Sequence, residues 1–231
     1  GDDLIAAMNS ANAGDSVVVA NGTYVLPSTL YMTKDNLSLI GESKAGVILD
    51  VSGHTGYGIR TEANGLTLKN FTVIPRGASG NAYPIKASFS GGPQSGLVLA
   101  NITIDGSYRT AVDIHGISGV TVTNVTAKNS SWGNGITFTG VHNATMTGCT
   151  TSGNAWGGVA VYCSKPAYVN RGSDNITIDF NANNIGETVY VEDQFGLTNT
   201  NISVPGATHL IDNDYAADSF MHMYTNKGEA D

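Results

Sequence analysis

Along most of this chain apolar and polar residues alternate one for one, and the alternation breaks at recurring places. The clearest phrase is Asn64-Gly65-Leu66-Thr67-Leu68-Lys69-Asn70-Phe71-Thr72-Val73. It returns as Ser95-Gly96-Leu97-Val98-Leu99-Ala100-Asn101-Ile102-Thr103-Ile104 and as Ser118-Gly119-Val120-Thr121-Val122-Thr123-Asn124-Val125-Thr126-Ala127. Weaker copies begin near Leu37, Ala144, Ile176 and Leu197. A period of two is that of a half-buried β-strand, and Thr, Val and Ile suit a pleated surface. Each phrase therefore predicts two strands flanking an asparagine.

With the first apolar residue of each copy as anchor, the intervals are 29, 31, 23, 24, 32 and 21 residues. A unit length near ~22 with insertions predicts a solenoid. The spaced leucines and helical segments of leucine-rich repeats are missing. A third strand per coil is expected at 58–62, 84–89, 111–115, 135–139, 158–162, 188–192 and 209–213. Stacked coils would pair each strand with its equivalent ~4.8 Å away, so the sheets should be parallel. Asn70, Asn101, Asn124 and Asn201 are expected at one turn, their amides bonded down the stack as an interior ladder. That placement explains the Asn-x-Ser/Thr sequons there without invoking glycosylation. An open-ended stack needs covers. Residues 3–12 read as a capping helix with Leu4, Ile5 and Met8 on one side. A second helix is expected over 215–224, capped by Asp214, with Phe220, Met221 and Met223 over the last coil. The 231 residues then form one domain, with an N-terminal cap at 1–13 and a C-terminal cap or tail at 209–231.

Composition supports an all-β chain: charged residues are only 13% and there are 29 glycines. A net charge of −8 with no basic run argues against nucleic acid as partner. No run reaches the roughly 18 apolar residues of a membrane span, and no charged-then-apolar leader opens the chain. The two cysteines, Cys149 and Cys163, form neither a metal motif nor a disulfide framework. Cys149 takes the inward place of Ile102 and Val125, so both are expected as buried free thiols.

The opening segment, Leu4-Ile5-Ala6-Ala7 through Val17-Val18-Val19 to Gly22-Thr23-Tyr24, resembles the start of the pectin-lyase-like right-handed parallel β-helix proteins. With the coils counted, the resemblance covers nearly the whole chain. It implies a single-stranded right-handed parallel β-helix, a solenoid of three strands per coil, with an N-terminal capping helix. That superfamily includes lyases, hydrolases, epimerases, tailspikes and adhesins, so function must come from the site.

In the third strands Val112 with Ile114, Ile136 with Phe138, Val159 with Val161, and Val189 with Val191 should point inward. Their neighbours then form two outward columns. One reads Arg60, Lys86, Asp113, Thr137, Ala160, Tyr190; the other reads Glu62, Ser88, His115, Thr139, Tyr162, Glu192. Arg60, Arg76, Lys86, Arg109, Lys165 and Arg171 lie in or beside these strands, and insertions at 75–83, 90–95 and 163–173 should wall a groove. A local positive groove on an acidic protein suits an anionic polymer. With Tyr168 and Tyr190, the residues Arg60, Arg76, Arg109, Lys165 and Arg171 are the candidate substrate contacts.

Removing the C5 proton of a uronate requires a neutralised carboxylate, a base, and an acid on the other side or at the leaving oxygen. Lys86 or Arg60 can neutralise, His115 is a ready base, Tyr162 a second proton carrier, and Asp113 can orient His115. Asp113-Ile114-His115-Gly116 resembles a degenerate form of the D-P-H-E motif of mannuronan C5-epimerases, with Lys86 placed like that family's lysine on the preceding coil. The resemblance gives Lys86, Asp113 and His115 candidate catalytic roles. Pro and Glu of the motif are here Ile114 and Gly116, and the family's tyrosine falls on Thr110, while Tyr108 and Tyr162 remain available for that role.

The sequence thus points to a secreted or cell-surface protein acting on an acidic polysaccharide, as epimerase or lyase. Two other classes stay open: a non-catalytic glycan-binding, adhesin or spike segment, and a glycoside hydrolase, which usually needs two carboxyls across the sugar. No zinc, nucleotide or flavin motif is present. Asp212-Asn213-Asp214 offers the oxygen ligands calcium takes, and reads equally well as a helix cap.

Overall fold

The computed structural model describes residues 1–80, 82–88 and 93–215. After the helix Asp2–Ser10, strands wind through successive coils whose ladders are parallel throughout. One sheet has eight strands: Leu30–Met32, Ile59–Thr61, Ile85–Ala87, Val112–His115, Ile136–Thr139, Val159–Tyr162, Val189–Gln194 and Leu210–Tyr215. Seven of these match the expected third strands; Leu30–Met32 adds a coil whose weak alternation gave no signal. The other two strands of each coil belong to a twelve-stranded sheet. In the regular coils they run into one another through the asparagine, as in Gln94–Asp105 and Ile117–Lys128. The fold is a three-strand-per-coil right-handed parallel β-helix with a helix at its N-terminal opening.

The inward residues close a single core. Leu97, Leu99, Ile102 and Ile104 of one coil stack on Val120, Val122, Val125 and Ala127 of the next, all at most 2% exposed. Leu4 and Met8 of the helix pack onto the same core, which is why an amphipathic turn sits there. Cys149 and Cys163 are free thiols within it.

Three columns of left-handed backbone turn the chain, the second and third only in the central coils, and Asn and Gly alternate freely in them. Asn36, Gly65, Gly96, Gly119, Asn143, Asn175 and Asn201 form the first, each with φ between 51° and 74°. Asn70, Asn101, Asn124 and Gly148 form the second, and Gly106, Asn129 and Gly153 the third. These are the residue types that enter this region at least cost. The expected amide ladder exists where Asn124 Nδ2 donates to Asn101 Oδ1 (2.6 Å) and Asn101 Nδ2 to Asn70 Oδ1 (3.0 Å). Two corrections follow. The ladder is half-buried to exposed rather than interior. Asn201 is not on it: Ile202 pairs with Ile176, so the last coil is anchored at Ile202 and not at Leu197, and Asn201 continues the Asn143–Asn175 column. The phase slipped because Phe195-Gly196 makes an extra turn before that strand.

Asn101→Ala should cost about 2–3 kcal/mol, combining left-handed strain with two lost amide bonds. Asn101→Gly should cost only about 1 kcal/mol, since glycine already holds this place at Gly148. Urea midpoints of the two variants separate strain from hydrogen bonding.

At the C-terminal end, Asp214 and Tyr215 extend the last strand, contrary to the expected helix start. The rest of that helix, with Phe220, Met221 and Met223, lies outside the described residues, as does Phe89. No helix among the described residues is long and apolar enough to cross a membrane.

Candidate functional site

The vertical register brings the two outward columns together. Arg60 pairs with Lys86, Lys86 with Asp113, Asp113 with Thr137, Thr137 with Ala160, and Ala160 with Tyr190. In the second column His115 pairs with Thr139, Thr139 with Tyr162, and Tyr162 with Glu192. Ser88, at φ 53°, turns out of its strand, so that column begins at His115. His115 and Tyr162 are two rungs apart, roughly 10 Å along the stack.

Over these columns lies a cleft of about 290 Å³, lined by Asp113, His115, Thr137, Asn134 and Tyr162 from the sheet side and by Tyr83, Trp156, Lys165 and Tyr168 from the turns around it. The column residues face outward and are nevertheless buried: Lys86 5%, Asp113 8%, His115 6% and Tyr162 8% exposed. The expectation of a solvent-facing His115 is therefore corrected. Its cover is the insertion after Cys163. Ser164 and Arg171 bridge across the base of that loop, and Arg171 Nε donates to the Gly140 carbonyl at 2.7 Å. Ser164 Oγ sits 2.7 Å from His115 Nε2 and also accepts the Val169 N–H at 3.2 Å. Tyr168 meets the imidazole edge-on, with centroids 5.5 Å apart.

Gly116 explains why the loop can close down. It sits at φ 70°, and a Cβ there would stand 2.5 Å from Val169 Cγ2. A side chain at this position would take the space that Val169 fills where the loop packs on the strand end. Gly116→Ala should cost about 2 kcal/mol of strain and contact. It should also accelerate tryptic cleavage after Arg171; Val169→Ala in the same chain should recover the contact part and slow cleavage again.

Lys86 Nζ donates to Asp113 Oδ2, and Thr137 Oγ1 donates to Asp113 Oδ1 at 2.9 Å. Burial alone would raise the Asp113 pKa. The Lys86 ammonium, the adjacent His115 and the two hydrogen bonds outweigh it and hold Asp113 below its ordinary value. Burial, reinforced by Lys86, Lys165 and Arg171 against the pull of Asp113, brings His115 down to about 4, so its imidazole is neutral at pH 7. Burial raises the Tyr162 phenol far above its ordinary value, with Glu192 adding to the effect; Asn134 Nδ2 donates to its oxygen at 3.3 Å. The Tyr162 phenol is therefore protonated at pH 7.

Glu192, fully buried, receives an N–H from Gln194 at 3.1 Å and is pushed up to about 7 by burial. Its stability sign opposes that of His115. Unfolding lets His115 bind a proton between pH 6.5 and about 4, so its contribution to stability rises with pH there. Folding lets Glu192 bind a proton between pH 4.5 and about 7, so its contribution falls as pH rises. The two slopes offset one another between pH 4.5 and 6.5. With these two offset, the stability of the unaltered chain to urea should show only the rise left by His54, whose pKa burial and Arg76 lower. Glu192→Gln should unmask a rise with pH of about 3 kcal/mol, and His115→Gln a fall of similar size.

The other expected contacts divide. Lys165 lines the cleft and lies 4.6 Å from the Tyr168 ring centroid. Arg171 ties down the loop. Tyr190 continues the first column beyond Ala160. Arg60 pairs with Glu62 at 2.6 Å and lies over Tyr57, one coil before Lys86. Arg76 reaches the Ser52 carbonyl at 3.5 Å, away from the cleft-lining residues. Arg109 lies among the rings of Tyr83, Tyr108 and Trp132. Ser164, Asn134, Tyr83 and Trp156 were missed. Ser164 carries no signal because only the loop's path brings it to His115. Tyr83 had one: it stands two residues before its third strand, as Tyr57 does before Ile59. Among the described residues no group of three His, Cys, Asp or Glu side chains converges as a metal site requires.

No family profile and no curated protein matches the chain. Solved structures do. A rhamnogalacturonan lyase superposes with a TM-score of 0.53 at 15% identity, over 91% of this chain and 55% of that one. A Geobacillus virus E2 protein gives 0.51 at 9% identity, over 93% and 58%. A PL6 family alginate lyase gives 0.51 at 12% identity, over 94% and 38%. The chain thus spans little more than half the length of the first two. At these identities the likeness is one of fold, the parallel β-helix.

Proposed function

We propose that this chain binds an acidic polysaccharide in the cleft and removes the C5 proton of a uronate residue. The observation that carries the reading is that an imidazole and a phenol, His115 and Tyr162, line one small cleft two rungs apart, with the Lys165 cation at its wall. His115 takes the C5 proton. In elimination the electron pair forms the C4–C5 double bond, the C4–O bond breaks, and Tyr162 delivers a proton to the leaving oxygen. In epimerisation Tyr162 returns a proton to C5 from the opposite face. Lys165 faces the substrate carboxylate, since the Lys86 ammonium is committed to Asp113. Asp113 in turn sets the field at His115. For the base to act, the imidazole exchanges its Ser164 contact for the substrate. The names of the lyases of similar fold favour a polysaccharide substrate, and such a substrate suits a secreted or cell-surface protein.

A second reading, a glycan-binding segment without chemistry, is favoured by the same Ser164 contact, which leaves His115 almost covered. Incubating the chain in deuterium oxide with polymannuronate, polyguluronate and polygalacturonate separates the possibilities. Unsaturated ends absorbing in the ultraviolet mark a lyase, and deuterium at C5 without them marks an epimerase. If binding is measured and neither signal appears with any polymer, the catalytic reading is lost.

A further inference from the structure

Beside the cleft, at the turn that enters each third strand, aromatic rings recur on successive coils. Tyr83 leads into Ile85–Ala87, Tyr108 and Arg109 into Val112–His115, Trp132 into Ile136–Thr139 and Trp156 into Val159–Tyr162. Backbone bonds between successive turns carry three of them: the Tyr108 N–H donates to the Arg76 carbonyl, Trp132 to Tyr108 and Trp156 to Gly133, while Tyr83 joins the file through Arg109. The Trp132 and Trp156 rings are 5.0 Å apart and tilted by 56°. The Arg109 guanidinium lies 5.4 Å from the Trp132 centroid, 5.8 Å from Tyr108 and 6.0 Å from Tyr83. All four aromatic residues are half-buried, so none is spent in the core.

Core packing does not account for this file, because the core is closed by the inward aliphatic residues. Nor does charge pairing: the ion pairs among the described residues are Arg60–Glu62 and Lys86–Asp113, and Arg109 meets ring faces instead. A guanidinium held among rings keeps its charge for an outside anion. Sugar rings present C–H faces that suit the negative face of an aromatic ring. Coils stack at ~4.8 Å, close to the length of one sugar unit, so rings on successive coils match successive units of a chain lying along the axis.

We infer that the file Tyr83–Arg109–Trp132–Trp156 is a binding track for a uronate oligosaccharide of about four units, continuous with the cleft through Tyr83 and Trp156. Sugar faces stack on the two tryptophans, and Arg109 takes a carboxylate. The track deepens the reading of the cleft as a uronate site and rests on it for the identity of the polymer, while its own test is independent of turnover.

The chain has two tryptophans, and both are in the track, so intrinsic tryptophan fluorescence reports this place alone. Titration of the full chain with oligomannuronate and oligogalacturonate of four to six units should give a saturable change. Dimers, and neutral cello-oligosaccharides of equal length, should bind at least tenfold more weakly. Arg109→Gln should weaken uronate binding about tenfold and leave the neutral sugars unchanged; Trp132→Ala should weaken both. If Trp132→Ala fails to fold, the Arg109→Gln arm decides. A fluorescence response with no turnover keeps the track and removes the C5 chemistry. Turnover with silent tryptophans, and with the same KM for hexamer in Arg109→Gln, keeps the chemistry and overturns the track.

Discussion

Substituting His115 by glutamine is expected to lower turnover on a uronate polymer by about 10²–10⁴-fold, the usual loss when a positioned base is removed. Glutamine is preferable to alanine. The imidazole is buried and contacts Ser164 at 2.7 Å, so truncation would leave a void and disturb the loop. A glutamine amide can still reach Ser164, and stability at pH 7 should stay within about 1 kcal/mol of the unaltered chain. In the unaltered chain kcat/KM should rise with pH through a value near 4 and then level off, because His115 must be neutral to act. That acid limb should vanish in His115→Gln. Unchanged turnover in the variant would remove His115 as the base.

The second large effect is on folding. Lys86→Met is expected to destabilise the chain by about 3–5 kcal/mol, because Asp113 is then a buried carboxylate without its cation. Only the Thr137 hydroxyl among its two described donors would remain. The pH dependence gives an internal check. In the unaltered chain Asp113 sits below its ordinary value of 3.8, so its stabilising contribution is present above that pH and disappears as pH falls through the lower folded value. Without Lys86, burial is less opposed and the pKa rises, so the deficit should shrink as pH is lowered. Lys86→Met with Asp113→Leu should recover most of the loss, since the desolvation cost goes with the charge. Equal urea midpoints for Lys86→Met and the unaltered chain would mean that this pair does not stabilise the fold.

The solenoid was legible because its determinants are local. Alternation sets which residues face inward, and Gly or Asn marks the left-handed turns, so six of seven anchors and the pairing of Lys86, Asp113 and Thr137 could be read directly. The last anchor failed where Phe195-Gly196 added a turn that the period does not encode. The insertions were legible as walls of a groove, but burial of the site beneath one of them was not. Strand phase says that His115 faces outward, but not that the loop after Cys163 folds back over that face. The one hint was Gly116, whose missing side chain looks like a decayed motif in sequence and is room for Val169 in space. Trp132 and Trp156 stand 24 residues apart, the same interval as the anchors Val120 and Ala144, yet an aromatic repeat outside the strands carries no strand signal.

The parallel stacking of coils also bears on how the molecule responds to force. Each inner strand of a sheet is paired with its equivalents in the coil before and the coil after, as Val112 is with Ile85 and with Ile136, 24 residues on. Order can then spread from one formed coil to the next like a zip, with no need to close long loops first. Pulled from its two ends, such a chain would peel one coil at a time, and each step would release roughly 80 Å of extended polypeptide.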